Sequence, residues 1–597
     1  MNKRFVIVCL VFSALILAAA LPAAAQNIEA KEYRLDNGMQ VLMVERHEAP
    51  TVMAAIFAHV GSANEITGIT GISHLFEHMM FKGTETIGTK DIVKDRLVMA
   101  ELDSLRALMR DEESIMRDGY HKGTVTDMLD PDAKTPRYRE LEKVFDSLIV
   151  EQRNLIIKDQ LDEIYSKNGG TFLNAFTSYD MTGYFVRLPA NKLELFMWLE
   201  SDRFNKPVFR EFYSERDVVR EERRMSLEST PTGLIEEDFS SMFWKSSSYH
   251  WEVIGWPSDL GAITREQANN YFATYYAPNN LSLILVGDIK PDETIKMVRQ
   301  YFERIPRGKN EPPDVVTLEE KQYGEKRMIA EAETSPETQI WYHSVAWKHP
   351  DSYALEVLAG IMSGKTGRLY KKLVEEKGLA KSSGGGGRRM FGGSDLAVDA
   401  SQDSRKYAGA FQISAEGISG VKAEQLEDAV YEVIADLKAT PVSAEELQKV
   451  KNQLRVQTIR FMDIMSGIGV LFALGQNAAL GDWTEVNNNP IRCDQVTAED
   501  IQRVANTYLA DDQRNVLIIN SKATSEGEEG GGHEDPRFAQ AVAMVKAISD
   551  PNQLEQMIGM FSGQIDKVED PEQRAKMEQL LKIANDHLKE LKAAGEN

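Results

Sequence analysis

Cysteine is almost missing from this chain, with two in 597 residues. Cys9 lies in an apolar N-terminal stretch and has no lipobox-like neighbours, which argues against lipidation. That leaves Cys493, and one thiol cannot close an intramolecular disulfide. After Phe5–Ala20 there is no further long apolar run, so no spanning helix is expected beyond the N-terminus. Positive charge is in deficit: 69 Lys and Arg stand against 92 Asp and Glu, a net −23, which argues against nucleic acid or an anionic membrane as partner. Histidine is scarce at ten. That scarcity gives weight to any two that fall at a chemically useful spacing.

What is present is the composition of a globular protein, 42% hydrophobic and 27% charged, in a chain too long for one core. The first residues read as a signal peptide: a basic start at Lys3 and Arg4, an apolar run, and an A-x-A site with cleavage expected after Ala25. An uncleaved anchor is the alternative. Removal makes the chain two charges more negative. An exported, disulfide-free protein of this size fits a bacterial periplasm, or secretion, with no membrane contact once the signal is gone.

One stretch carries chemistry. Gly71 to Thr84 contains His74-Leu75-Phe76-Glu77-His78, the pattern H-x-x-E-H. On a helix, residues four apart share a face, so His74 and His78 can bind one zinc ion while Glu77 works on water beside it. Zinc with three protein ligands keeps a position for water and lowers its pKa to about 7. The plain alternative is two helix histidines next to a surface glutamate. A third ligand is sought in the charged helix expected over Glu211–Glu228. Spacing alone leaves Glu215, Glu221 and Glu222 open.

Taken in order, Glu32–Val44 reads as two strands around Asn37-Gly38, and Thr51–Val60 as a third. Residues 88–168 read as a hairpin of two long helices, a structural or partner-binding insertion. Strands at 169–177 and 182–189 follow, then an amphipathic helix over Asn191–Arg203. A repeat comes next: a constant offset lays Thr264 on Thr497, Glu266 on Glu499, Tyr275 on Tyr508 and Ala277 on Ala510. Each copy is helix, short loop, buried strand, so two similar α+β domains are expected. The second copy has no histidine pair where the first has its motif. Gly384–Gly387 lacks the G-K-[ST] of a phosphate loop and reads as a turn. The resulting division is a signal at 1–25, a catalytic domain at 26–307, a linker at 308–325, a second domain at 326–521, a flexible acidic linker at 522–535 and a helical extension at 536–597.

The motif, the Glu-rich helix and the duplication together resemble the pitrilysin/insulinase family of zinc peptidases over about residues 30 to 520. The resemblance implies two homologous α/β-roll domains and one Zn2+ per chain. It implies His74, His78 and Glu222 as metal ligands, Glu77 as the catalytic glutamate and Glu215 as its supporting glutamate. Gly169-Gly170 through Asn174-Ala175 look like the family's edge strand, with Asn174 and Ala175 binding extended peptide by β-augmentation. Members that act alone carry an arginine and a tyrosine in the second domain. In the matching frame Gly367–Lys381, Val374 and Lys381 stand at those places. The expectation is a zinc endopeptidase subunit that needs a homologous partner chain, or a second copy of itself, to supply that pair. The competing expectation is a non-catalytic assembly subunit with a structural metal.

Overall fold

The repeat builds two sheets of the same design. In the computed structural model, which describes residues 27–522 other than 129 and 385–395, together with 545, 554, 558 and 571–595, strands β1 (Lys31–Arg34), β2 (Gln40–Glu45), β3 (Thr51–Ala58), β4 (Thr171–Thr177), β5 (Thr182–Pro189) and β6 (Leu281–Gly287) form the first sheet. Strands β7 (Lys326–Ala332), β8 (Glu337–Ser344), β9 (Val398–Ser404), β10 (Gly409–Glu416) and β11 (Asn515–Ser521) form the second. The orders are β1-β2-β6-β3-β5-β4 and β7-β11-β8-β10-β9. Leaving out β1, they match strand for strand. Each has one parallel pair, β2 with β6 (Val41 opposite Leu283) and β7 with β11 (Met328 opposite Leu517), and is otherwise antiparallel. The signal segment, most of the glycine turn and the acidic linker lie outside the described residues. Of the C-terminal extension, Pro571–Gly595 is a helix, and Leu554 and Ala584 are buried in a small apolar cluster of its own unit.

The helices that position the site and join the halves are α1 (Ile72–Met79), α2 (Ile92–His121), α3 (Pro136–Leu155), α4 (Phe212–Arg223), α5 (Gly233–Phe243), α6 (Arg265–Tyr275), α7 (Pro350–Met362), α8 (Ile468–Leu480) and α9 (Ala498–Tyr508). The repeated pair α6 and α9 start alike. Thr264 and Thr497 each accept from the third backbone N–H of their helix, and Gln267 and Asp500 answer from that position. Helix α7, which follows β8 as α1 follows β3, is buried almost all round and offers no histidine pair.

The insertion holds more than two helices. Asp91 caps α2, Thr135 caps α3 with Pro136 in the first turn, and a third helix, Gln160–Lys167, follows a left-handed Asp159 at φ 53°. The hairpin is fastened at its root. Asp95 of α2 accepts from Arg210 Nε at 2.9 Å and from Gln152 of α3 at 3.0 Å, wholly out of water. The same arginine donates to the carbonyls of Thr84 and Ile87 just past α1. The helix after β5, Leu193–Asn205, is buried on most sides rather than amphipathic, because it holds the buried Glu200–Arg203 pair inside the domain.

Each half lends a helix to the other. Val470, Leu471, Phe472 and Leu474 of α8 pack on Phe57, Ile284 and Val286 of the first sheet. Phe239 of α5 packs on Ala332, Leu517 and Ile519 of the second. Gly475 is required for this contact, since a Cβ there would meet the Phe57 ring at 2.2 Å.

Candidate metal centre

Helix α1 is amphipathic in the strict sense. Ile72, Leu75, Phe76 and Met79 are buried in the first core, which turns His74, Glu77 and His78 to the opposite face. Gly71 starts the helix at φ +85°, where a Cβ would lie 2.4 Å from the Ile254 carbonyl oxygen. No side chain of the helix caps it. Instead the buried Glu65 carboxylate accepts from the Gly71 N–H at 2.8 Å and the Ser73 N–H at 2.7 Å. Burial pushes this carboxyl up, to about 8, against the pull of those donors.

The facing helix is α4. Phe212, Tyr213, Arg216, Val219 and Arg223 are its buried residues, and Glu215 and Glu222, two turns apart, meet α1. Glu222 Oε2 lies 3.1 Å from His74 Nε2 and 3.4 Å from His78 Nε2. Glu215 Oε1 lies 3.2 Å from His78 Nδ1, and its other oxygen accepts from Lys82 Nζ at 2.5 Å. Glu221, the remaining glutamate that spacing left open, is exposed and paired with Arg224. The electrostatics favour a cation between the helices. Burial works against a charge on His78, but Glu215 and Glu222 outweigh it and hold the imidazole up, to about 9. Bonds from His74 and His78 hold Glu222 well below the carboxylate range. Burial raises Glu215, and His78 and Lys82 more than reverse it.

Glu77 stands at the margin of this cluster, its Oε2 3.8 Å from His74 Nδ1. The same oxygen accepts from Thr177 Oγ1 at 2.7 Å, so the end of β4 holds it beside the histidines. β4 is the last strand of its sheet and is irregular: Phe172 sits at φ +56°, with a register shift between Thr171 and Asn174. Asn174 is exposed, and its Oδ1 accepts from the Ala175 N–H at 2.8 Å. In the second half, Val374 packs against the second core, and Lys381 bonds Ser335 Oγ at 2.6 Å and pairs with Glu416. Thr177, Lys82 and Glu65 are contributors not named from the sequence. Lys82 has a signal, since it follows His78 at helical spacing; Glu65 lies in a loop and has none.

With these positions fixed, two family descriptions fit the chain. Insulinase (peptidase family M16) matches residues 40–96 and 156–255, which hold the motif and Glu222. The M16 inactive domain matches residues 262–454. The chain belongs to the insulinase (M16) peptidase family. The break in the first match, over 97–155, covers most of α2 and all of α3. Zinc protease PqqE of Helicobacter pylori is 24% identical over 512 residues, 84% of this chain and 95% of that one. A protease structure from Helicobacter pylori superposes with TM-score 0.64 at 22% identity, covering 82% of this chain and 99% of that one. The periplasmic protease PqqL of Escherichia coli superposes with TM-score 0.58 at 17% identity, covering 84% of this chain but 48% of that one.

The donor set fits the metal of these insulinase relatives. Two imidazole nitrogens and a carboxylate oxygen lie within 4.8 Å of one another, the one such group of three among the described residues. Neighbouring ligands on tetrahedral zinc are roughly 3.3 Å apart, and the two distances to Glu222 bracket that value. Glu215 engages His78 Nδ1, which leaves Nε2 for the ion and fixes the ring.

Proposed function

We propose that this chain is an exported zinc endopeptidase that hydrolyses peptides or unfolded segments, and that it is the catalytic member of a two-part enzyme. The observation that carries the reading is the convergence of Glu222 Oε2 on both histidines, with Glu77 beside them but outside the ligand set. His74, His78 and Glu222 would hold zinc. When bound, zinc supplies Lewis acidity that makes water a nucleophile at neutral pH. Glu77, oriented by Thr177, would take a proton from the attacking water and return it to the leaving amine. Glu215, held by Lys82, keeps His78 in the orientation the ligand set needs. The edge strand β4 runs directly from Asn174 and Ala175 to Thr177, so a peptide paired to it passes Glu77.

The two-part reading rests on Val374 and Lys381, which replace the arginine and tyrosine, and on the match to about half of PqqL. PqqL is a periplasmic protease, in keeping with the signal read at 1–25 of this chain. No helix among the described residues is long and apolar enough to cross a membrane. A non-catalytic subunit is the second reading, favoured by the inactive-domain match. That match falls on 262–454, outside the His74–Glu222 group.

The deciding experiment is metal analysis with a fluorogenic peptide, with and without chelator, on the wild type and three variants. Glu77→Gln is expected to keep zinc and lose turnover, and His74→Ala and Glu222→Ala to lose zinc. A Glu77→Gln protein that still cleaves peptide would overturn the mechanism. Full activity of the purified chain without a second chain or copy would overturn the two-part reading.

A further inference from the structure

One helix of the insertion walls two cavities that border the metal-centre residues. The first, of about 610 Å³, is lined by Glu77, His78, Phe81 and Arg153 among others. The second, of about 790 Å³, borders Glu222 and is lined by Val218, Met225, Phe145, Ile149 and, again, Arg153. Phe145, Ile149 and Arg153 are spaced four apart on α3, so one stripe of that helix faces the second cavity, and its last residue, Arg153, borders both. This stripe belongs to the segment the insulinase match passes over.

The second cavity is apolar on two opposed elements. Val218 of α4 is 49% exposed, and Met225, just beyond α4, is 65% exposed. Large apolar side chains left in water within a turn of Glu222 would gain from being covered. Across from them, the Phe145 ring is set edge-on to Tyr213 at 5.4 Å, and Ile149 is partly buried on the same core. The wall is fixed in place, because the buried Asp95–Arg210–Gln152 bonds tie α2 and α3 to the loop after α1 and to the approach to α4. The rim carries Asp146, Asp217 paired with Arg220, Glu221 paired with Arg224, and Arg153, so its charges are of both signs and the apolar walls are what distinguish the cavity.

We propose that α3, through Phe145 and Ile149 opposite Val218 and Met225, forms a specificity subsite for a large apolar side chain of the peptide substrate. The inserted hairpin is then part of the substrate cleft. This rests on the peptidase reading above, and the test separates the two.

The zinc-loaded protein, with its partner if one co-purifies, is assayed on two fluorogenic peptide pools alike except for Phe or Gly around the cleaved bond. The wild type is expected to favour Phe by about tenfold or more in kcat/KM, the usual worth of one large apolar side chain in a fitted pocket. Ile149→Asp on one wall and Met225→Asp on the other should each bring the ratio to within about twofold, with zinc content and Tm checked. Met225 is exposed, so its variant keeps the test decisive if Ile149→Asp does not fold. A wild type without preference, or a preference kept by the folded variants, overturns the subsite. If the wild type cleaves neither pool, the peptidase reading fails, and fluorescence anisotropy with the same peptides decides the subsite. Tighter binding of Phe peptides that Met225→Asp removes supports it, and equal binding overturns it.

Discussion

In the proposed site, Glu215 acts through His78. One oxygen faces His78 Nδ1 at 3.2 Å and the other is held by Lys82, so the imidazole cannot turn its Nε2 away from Glu222. Removing the charge while keeping the shape should loosen the ligand and spare the fold. Glu215→Gln is expected to weaken zinc binding by about 10- to 100-fold, read by competition with a chromophoric chelator, with little change in Tm. The residues of the centre differ in how far the sequence discloses them. His74, Glu77 and His78 are legible because helical spacing alone puts them on one face. Glu222 is not, since three glutamates of one helix fit the spacing equally, and the family resemblance chooses among them. Structure separates them physically: Glu222 and Glu215 face α1, and Glu221 faces Arg224. Thr177 reaches Glu77 across 100 residues of chain, a contact that local pattern cannot carry.

Among elements, β4 is the one whose behaviour can be tested by changing the substrate instead of the protein. It ends the first sheet, and Asn174 Oδ1 accepts from the Ala175 N–H, a backbone donor an extended peptide would compete for. If peptide pairs with this edge, its own alternate N–H groups supply the other half of the ladder. N-methylation at those residues should lower kcat/KM by up to about tenfold per bond lost, and methylation at the intervening residues should have little effect. Equal losses at every position would argue against strand pairing. Elements are legible in the sequence where a local code exists: Asn37-Gly38 turns β1 into β2, and Thr264 and Thr497 open the repeated helices with capping boxes. The helix at Gln160–Lys167 starts at Asp159, which is left-handed and whose side chain makes no capping bond, so the N-cap residue type is present there without its usual geometry. Leu193–Asn205 reads as amphipathic because its charges look solvated, whereas Glu200 and Arg203 satisfy each other in the core.

For the whole molecule, the exchange of α5 and α8 is the governing fact. Where α5 meets the second sheet, Glu337 is half-buried. Burial pushes its carboxyl up, to about 7, and Glu236 of α5 and Glu416 of β10 push the same way, against Gln339 and Lys381. A carboxyl raised in the folded state stabilises fully below its unfolded value near 4.5, and that contribution is lost as pH rises through about 7. The share of stability that Glu337 contributes should therefore fall between about pH 4.5 and 7, read as the difference between wild type and Glu337→Gln in thermal unfolding across that range. The same exchange bears on whether the halves are independent. Cut within 308–325, the first half would expose Phe57, Ile284 and Val286 where α8 now lies, and the second would expose α8 itself, whose buried residues include Val470, Leu471, Phe472 and Leu474. Patches of that kind are not tolerated by soluble monomers. Each half expressed alone should be insoluble or bind a hydrophobic dye, and co-expression should restore a soluble complex that elutes with the intact chain. Two separately soluble, cooperatively unfolding halves would mean that each sheet can close its own core, and the exchanged helices would then be a docking contact between finished domains.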